Sequence, residues 1–306
     1  MVMLACLAIS VVAASALLLV PATRTQLEAF GTHSKAVAAA NPGQSPVALA
    51  KIAAQAPPPL PILSAPVNPA SVTSGSKATT FFAWAFLDLS TNKVTGSANS
   101  ATGTNSTESM VKAWIASDYL RTHPSPSSAV QNDLHLMIIN SNDDIAQEYY
   151  VKGGGDADMK RMVTMCGLTH TTIRSGWWSL TQMPPQDAVK YGKCVADGTA
   201  AGKQWTPWIL DQMRHVQGSV ADNNPKDVKV QGGHWGIIDG LPANLVASTS
   251  IKNGWTDYGG SWHVNCLAIN PAWVLSVMMR TNTDSLQTAA NVCASVARQL
   301  TVTPEI

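Results

Sequence analysis

The chain has 306 residues, enough for one large domain with appendages. Charged side chains make up 13% and the formal net charge is +1, so no basic or acidic field points to nucleic acid or another polyelectrolyte as partner. The hydrophobic share, 45%, is raised by the N-terminal run.

Residues Val2 to Val20 carry no charge, and the first charged side chain is Arg24. A run of that length can cross a bilayer. With small residues near Pro21-Ala22 it equally fits a secretory signal. Residues 1–22 therefore read as a signal peptide or membrane anchor. Either route exports the protein, secreted or held at the outer face of the cytoplasmic membrane, with this segment as its membrane contact. Residues 23–78 are rich in Ala, Pro and Ser, including Ala56-Pro57-Pro58-Pro59-Leu60-Pro61, and read as a disordered tether. The folded domain is expected over 79–306.

Phe81 to Leu87 reads as a buried strand, and Ser90-Thr91-Asn92-Lys93 as the turn into a second. Ser106 to Leu120 has a polar start and then apolar residues at Met110, Val111, Trp114, Ile115 and Tyr119, the spacing of a helix. Val130, Leu134, Met137, Ile138, Ile145 and Tyr149 suggest further helix around Ser141, with room for a break there. Asp156 to Cys166 and Pro185 to Val195 also read as helices. Ala247–Lys252, Trp262–Ile269 and Trp273–Arg280 read as three strands, the last two joined at Asn270-Pro271. Leu286, Ala289, Ala290, Cys293, Val296, Ala297 and Leu300 recur every three to four residues, a closing amphipathic helix. Strands at both ends with helices between predict one antiparallel sheet built from both termini and a helical insert.

Cys166, Cys194, Cys266 and Cys293 allow three pairings. Export favours disulfides over buried free thiols, and the sequence-local pairs Cys166–Cys194 and Cys266–Cys293 are expected. The seven histidines are scattered without ligand spacing, and there is no C-x-x-C, so neither a metal nor an organic cofactor is expected.

Three short stretches carry the chemistry: Ser109-Met110-Val111-Lys112, Ser141-Asn142-Asp143 and Lys252-Asn253-Gly254. A serine with a lysine one helical turn away, a second hydroxyl and a second lysine supply acyl transfer without a histidine base. Each pattern recurs by chance. Ser-x-x-Lys also occurs at Ser74–Lys77 and Ser90–Lys93, and Lys-x-Gly at Lys152–Gly154 and Lys190–Gly192. Context selects among them. Ser109 stands at the head of a helix, where free N–H groups favour negative charge. Lys112 falls on the same helical face. Lys252 ends a strand, and Gly254 after it allows close backbone approach. Ser141-Asn142-Asp143 reads as readily as a polar break between helices.

Together these residues resemble the serine β-lactamase and penicillin-binding-protein superfamily, most closely exported class A-like hydrolases of actinobacterial type. The resemblance covers about residues 80–300, including Gly232-Gly233-His234-Trp235-Gly236-Ile237 and Thr181-Gln182-Met183-Pro184-Pro185-Gln186-Asp187-Ala188. It implies an α+β fold: a five-stranded antiparallel sheet flanked by helices, plus an all-helical part, with the site between. It implies Ser109 as acylated nucleophile and Lys112 as its base or proton relay. Ser141 would pass a proton to the leaving nitrogen, and Lys252 would assist this and attract a substrate carboxylate. Asp143, Asn253, Gly254 and Trp255 would line the substrate and oxyanion side, with the hole formed by the N–H groups of Ser109 and Trp255.

Two departures matter. The family's second motif is Ser-x-Asn, and here Asp143 replaces the amide with an acceptor-only group. The family's class A enzymes release their acyl group with a loop glutamate, and no glutamate lies between Cys166 and Cys194. Asp187 is a distant substitute. The expected function is a serine hydrolase acting on β-lactams or related amides. The alternatives are a D,D-carboxypeptidase-like enzyme on peptidoglycan stem peptides and a catalytically degraded wall-associated binding domain. Trp177, Trp178, Trp205, Trp208, Trp235 and Trp255 read as core and lid packing before a substrate groove.

Overall fold

The computed structural model describes residues 61–222, 232–282 and 285–304. The segment expected as signal or anchor, and the tether as far as residue 60, lie outside the described residues. The tether expectation is corrected at its C-terminal end. Strand β1 (Pro61–Ser64) is already ordered, with Leu63 buried, and Val72 joins the core. A strand gains ladder hydrogen bonds only with a partner, and β1 finds one at the far end of the chain, as described below.

Strand β2 (Thr79–Asp88) turns through Ser90–Asn92 into β3 (Lys93–Gly96). The Asp88 carboxylate accepts from the backbone N–H groups of Ser90 and Thr91, closing that turn. The Ser90–Lys93 decoy is thereby a turn, as its context predicted. Short strand β4 (Asn105–Ser106) leads to a 3-10 turn, Glu108–Val111, and then helix α1 (Lys112–Thr122). Helices α2 (Ser128–Ile139), α3 (Asp143–Lys152) and α4 (Asp156–Met165) follow. Strand β5 (Gln182–Met183) pairs with β4. Then come α5 (Pro185–Ala196), α6 (Gly202–Arg214) and the short α7 (Ala243–Val246). The chain ends in β6 (Ser250–Ile251), β7 (Gly254–Asp257), β8 (Trp262–Ile269), β9 (Trp273–Thr281), α8 (Leu286–Gln299) and β10 (Thr301–Pro304). Strand β10 is the antiparallel partner of β1, Pro61 facing Pro304.

The main sheet is antiparallel, in the order β3-β2-β9-β8-β6, and β7 also pairs with β8. Strands β6 and β7 are two pieces of one edge row, interrupted at Lys252-Asn253. The ladder bridges the interruption, because Lys252 N–H donates to Leu267 O at 3.1 Å. The five expected rows are present, with the fifth split at the lysine. The strand expected over 247–252 is shorter than its apolar pattern, because α7 precedes it.

Successive side chains of a strand point to opposite faces. Cys266 on β8 is bonded to Cys293 of α8, whereas its neighbour Leu267 faces Gly192 of α5. Helices α8 and α5 therefore cover opposite faces, which is why Ala83–Leu87 of β2 is an unbroken buried run. Helix α5 comes so close that a Cβ on Gly192 would lie 2.6 Å from Val274 Cγ1. The second disulfide, Cys166–Cys194, ties the end of α4 to α5. Both expected pairs are present. Helix α1 is buried along most of its length among α2, α3, α4, α5 and α6, forming the all-helical part. Helix α6 had no counterpart among the sequence expectations.

Candidate active site

Ser109 sits in the 3-10 turn, and the α-helix begins at Lys112. The expectation of one helix from Ser106 is corrected by the residues that grip this segment. Asn105 and Ser106 are taken into a strand against β5, and Thr107 N–H donates to Thr181 O at 2.9 Å. Tyr191 of α5 fixes the helix start, donating from its hydroxyl to Met110 O at 3.2 Å and accepting from Trp114 N–H at 3.0 Å. From the other side β7 presses on the turn. A Cβ on Gly254 would lie 2.4 Å from Thr107 O and 2.9 Å from Ser109 N. Gly254 thus admits the backbone of the Ser109 turn.

Lys112 and Lys252 are both fully buried and both reach Ser141. Lys112 Nζ donates to Ser141 O at 2.5 Å, to Asp143 Oδ1 at 2.5 Å and to Ser141 Oγ at 3.2 Å. Lys252 Nζ lies 2.9 Å from Ser141 Oγ and 3.2 Å from Asn253 O. Three segments distant in sequence therefore meet on one hydroxyl. The ammonium of Lys112 is turned toward Ser141 and Asp143, so its place on the Ser109 face of the helix describes its backbone rather than its partners.

Ser141 lies between α2 and α3 with φ 55°, and Glu108 before Ser109 has φ 49°. A side chain at positive φ is strained, and such strain concentrates at functional sites. Asn142 caps α3, its side-chain oxygen accepting from Ile145 N–H at 3.0 Å. The second motif is thus both a helix break and the meeting point of the two buried lysines.

Burial lowers the pKa of Lys112, and Asp143 works against that shift. Lys252 is held well below the ordinary lysine value by burial and by the neighbouring Lys112, with Asp143 again opposing. Each Nζ also lies over an indole, Lys112 over Trp178 at 5.3 Å and Lys252 over Trp255 at 6.0 Å.

Glu108 is a site residue that the sequence motifs missed, and its adjacency to Ser109 was the available signal. It is buried, and its carboxyl accepts from Thr256 Oγ1 at 2.8 Å and Tyr258 OH at 3.0 Å. Burial raises its pKa against those hydrogen bonds.

A cavity of about 280 Å³ opens over Ser109, walled by Glu108, Asp143, Gln147, Trp177, Trp178 and Trp255. Trp177 is 61% exposed, and Trp178 is pinned by its Nε1–H donating to Gln147 Oε1 at 3.0 Å. Three of the six tryptophans named from sequence thus wall the cavity. Trp205 and Trp208 instead pack edge-to-face on α6, and Trp235 is buried against Trp255.

Asn253 and Asp187 each hold a neighbouring segment by hydrogen bonds. The Asn253 amide donates to Gly233 O at 2.8 Å and Trp235 O at 2.7 Å, holding the 233–235 segment against the split strand. Asp187 is fully buried and accepts from His170 N–H at 2.7 Å and Thr171 Oγ1 at 3.0 Å. It fastens the base of the 167–184 loop and does not line the cavity over Ser109. The loop's tip is fastened by Asp156, which accepts from Ser175 Oγ and Gly176 N–H.

No family model matches the chain. Proteins named "Putative lipoprotein LppW" from Mycobacterium tuberculosis and Mycobacterium bovis are 27% identical over 195 residues, 61% of this chain. The chain spans 58% of the length of these curated relatives. Among solved structures, PBP-A superposes with a TM-score of 0.54 at 13% identity, covering 74% of this chain and 90% of that one. A class A β-lactamase from Mycobacterium abscessus gives 0.54 at 14% identity, covering 72% and 92%. An ancestral class A β-lactamase gives 0.53 at 15% identity, covering 72% and 94%. The chain has the β-lactamase/penicillin-binding-protein fold.

Proposed function

We propose that the protein is an exported serine acyl-transfer enzyme that takes an acyl group from a β-lactam or related amide onto Ser109. The observation that carries this reading is the convergence of Lys112 and Lys252 on the Ser141 hydroxyl beside the Ser109 turn. Burying two lysines is costly, and such a cluster beside an accessible hydroxyl is what proton traffic to and from a serine nucleophile requires. The Ser109 and Trp255 N–H groups would receive the oxyanion, a contribution of about 3–4 kcal/mol where such donors are intact. The relatives' name as lipoproteins supports export with a membrane anchor.

The loop side of the cavity also favours slow release. The 167–184 loop brings tryptophans and no carboxylate to it, and Asp187 is engaged elsewhere. A long-lived acyl-enzyme fits a D,D-peptidase-like enzyme on peptidoglycan stem peptides better than a fast β-lactamase.

Labelling with a fluorescent penicillin, followed by turnover of a chromogenic cephalosporin, tests both readings. Stable label on wild type and none on Ser109→Ala supports the peptidase-like reading. Sustained turnover supports the β-lactamase one. No label at high protein and probe concentration sinks the acyl-enzyme proposal for β-lactams.

A further inference from the structure

Two buried ammonium groups sharing one hydroxyl repel each other, so the pair tends to hold one charge at neutral pH. The acidic groups facing the pair are Asp143 at the start of α3 and Glu108 in the turn before α1. Asp143 is bonded directly to Lys112. Glu108 is bonded to Thr256 and Tyr258. The pairing is therefore asymmetric: among the described residues, Lys112 alone of the two has a carboxylate on its nitrogen.

The hydrogen bonds carry the same asymmetry. A charged lysine has three donors, and Lys112 Nζ meets three acceptors: Ser141 O, Ser141 Oγ and Asp143 Oδ1. Lys252 Nζ meets two oxygens among the described residues, Ser141 Oγ and Asn253 O. A neutral Lys252 fits this set. One N–H donates to Asn253 O, and its lone pair accepts the Ser141 hydroxyl proton while Ser141 Oγ accepts from Lys112. The reverse assignment gives a buried Lys252 ammonium two acceptors for three donors and moves the cation away from Asp143.

We propose that Asp143 holds Lys112 as the ammonium, and that neutral Lys252, acting through Ser141 Oγ, is the proton acceptor when Ser109 is acylated. The proposal rests on the acyl-transfer reading and names the path of its proton. As Ser109 Oγ bonds to the acyl carbon, its proton passes to Ser141 Oγ and the Ser141 proton passes to Lys252 Nζ. When the carbon–nitrogen bond breaks, Ser141 protonates the leaving nitrogen and recovers its proton from Lys252. Lys112 keeps its proton throughout. Asp143 is then a positioning residue acting through Lys112, which gives the departure from Ser-x-Asn a chemical consequence.

The test reads the lysines directly. With the protein labelled at lysine side-chain carbon and nitrogen, and signals assigned through Lys112→Arg and Lys252→Arg, NMR at pH 7 is expected to show Lys112 as ammonium and Lys252 as free amine. In Asp143→Asn, whose altered side chain is largely exposed, the Lys112 signal is expected to move toward the free-amine position. Lys112 as the free amine in wild type overturns the proposal. A kinetic arm separates proton transfer from carboxylate binding by using an uncharged fluorophosphonate as the Ser109 reagent. Lys252→Met is expected to slow labelling about 100-fold or more and to flatten its pH profile, at an unchanged melting temperature. Loss with Lys112→Met and full labelling with Lys252→Met overturns the proposal. Wild type that resists the reagent overturns the acyl-transfer reading and the acceptor role with it, a failure that the NMR titration distinguishes from a wrong choice of lysine.

Discussion

Gly254 and Ser109 are in backbone contact: a side-chain carbon on Gly254 would lie 2.9 Å from Ser109 N and 2.7 Å from Met110 N. The strand that follows Lys252 and the turn that carries Ser109 are thus set against each other by the absence of one methyl group. Backbone cannot rotate away as a flexible side chain can, so Gly254→Ala must shift the strand or the turn. The expected cost is about 1–3 kcal/mol of stability. Acylation is expected to fall about 100-fold, the loss that a misplacement of about 1 Å produces. Thermal melts and fluorescent-penicillin labelling check both. Wild-type labelling by Gly254→Ala would show that the contact does not set the site.

Asp158 is buried between α1 and α4, accepting from Trp114 Nε1–H at 2.8 Å, and burial with Asp118 beside it pushes its pKa up to about 8. The unfolded group titrates near 4. As pH rises from about 4 to 8 the unfolded chain releases this proton and the folded chain keeps it, so stability falls across that window. Asp118 runs the other way. Arg161 and Arg121 hold its pKa low against burial, so its contribution is lost as pH falls. Asp158→Asn keeps an acceptor for Trp114 and removes the penalty. Its melting temperature is expected to exceed wild type at pH 8, by on the order of 4 °C per kcal/mol recovered, and to match wild type near pH 4. An equal shift at both pH values would refute this assignment.

The Cys266–Cys293 bond joins the sheet to α8 and closes a loop of separation 27. Replacing both cysteines with alanine is expected to cost about 3–4 kcal/mol on chain-entropy grounds. The check is denaturant unfolding under non-reducing conditions, with free-thiol counting on wild type. Free thiols in the exported, folded protein would contradict the pairing.

Asp187 anchors the loop that walls the cavity through His170 and Thr171. Asp187→Ala leaves the part-buried His170 N–H and Thr171 hydroxyl without their acceptor, an expected loss of about 1–2 kcal/mol. Because the loop carries Trp177 and Trp178, hydrogen exchange across 169–180 is expected to rise more than elsewhere. Substrate affinity should weaken more than the acylation rate constant. A fall in the rate constant with affinity intact would instead assign Asp187 a chemical role.

What the sequence determined by itself is local or periodic. The buried run 81–87, the strands at 262 and 273, the helix from 286 and the Ser90 turn all follow from side-chain spacing that a single element must satisfy on its own. The order Ser109/Lys112, Ser141, Lys252 named the candidates, of which Lys112, Ser141 and Lys252 meet in the fold. Tertiary structure decided what those residues touch. No local signal tells Lys112 to leave Ser109 for Asp143 and Ser141, since that choice depends on α3 arriving beside α1. Nor does the pattern 247–252 reveal that its row breaks at Lys252, or that Glu108 turns in at positive φ to meet Thr256 and Tyr258. Those are long-range contacts between polar groups. Their positions follow from which buried donors and acceptors must be satisfied once the apolar faces have packed, and spacing along the chain does not encode that.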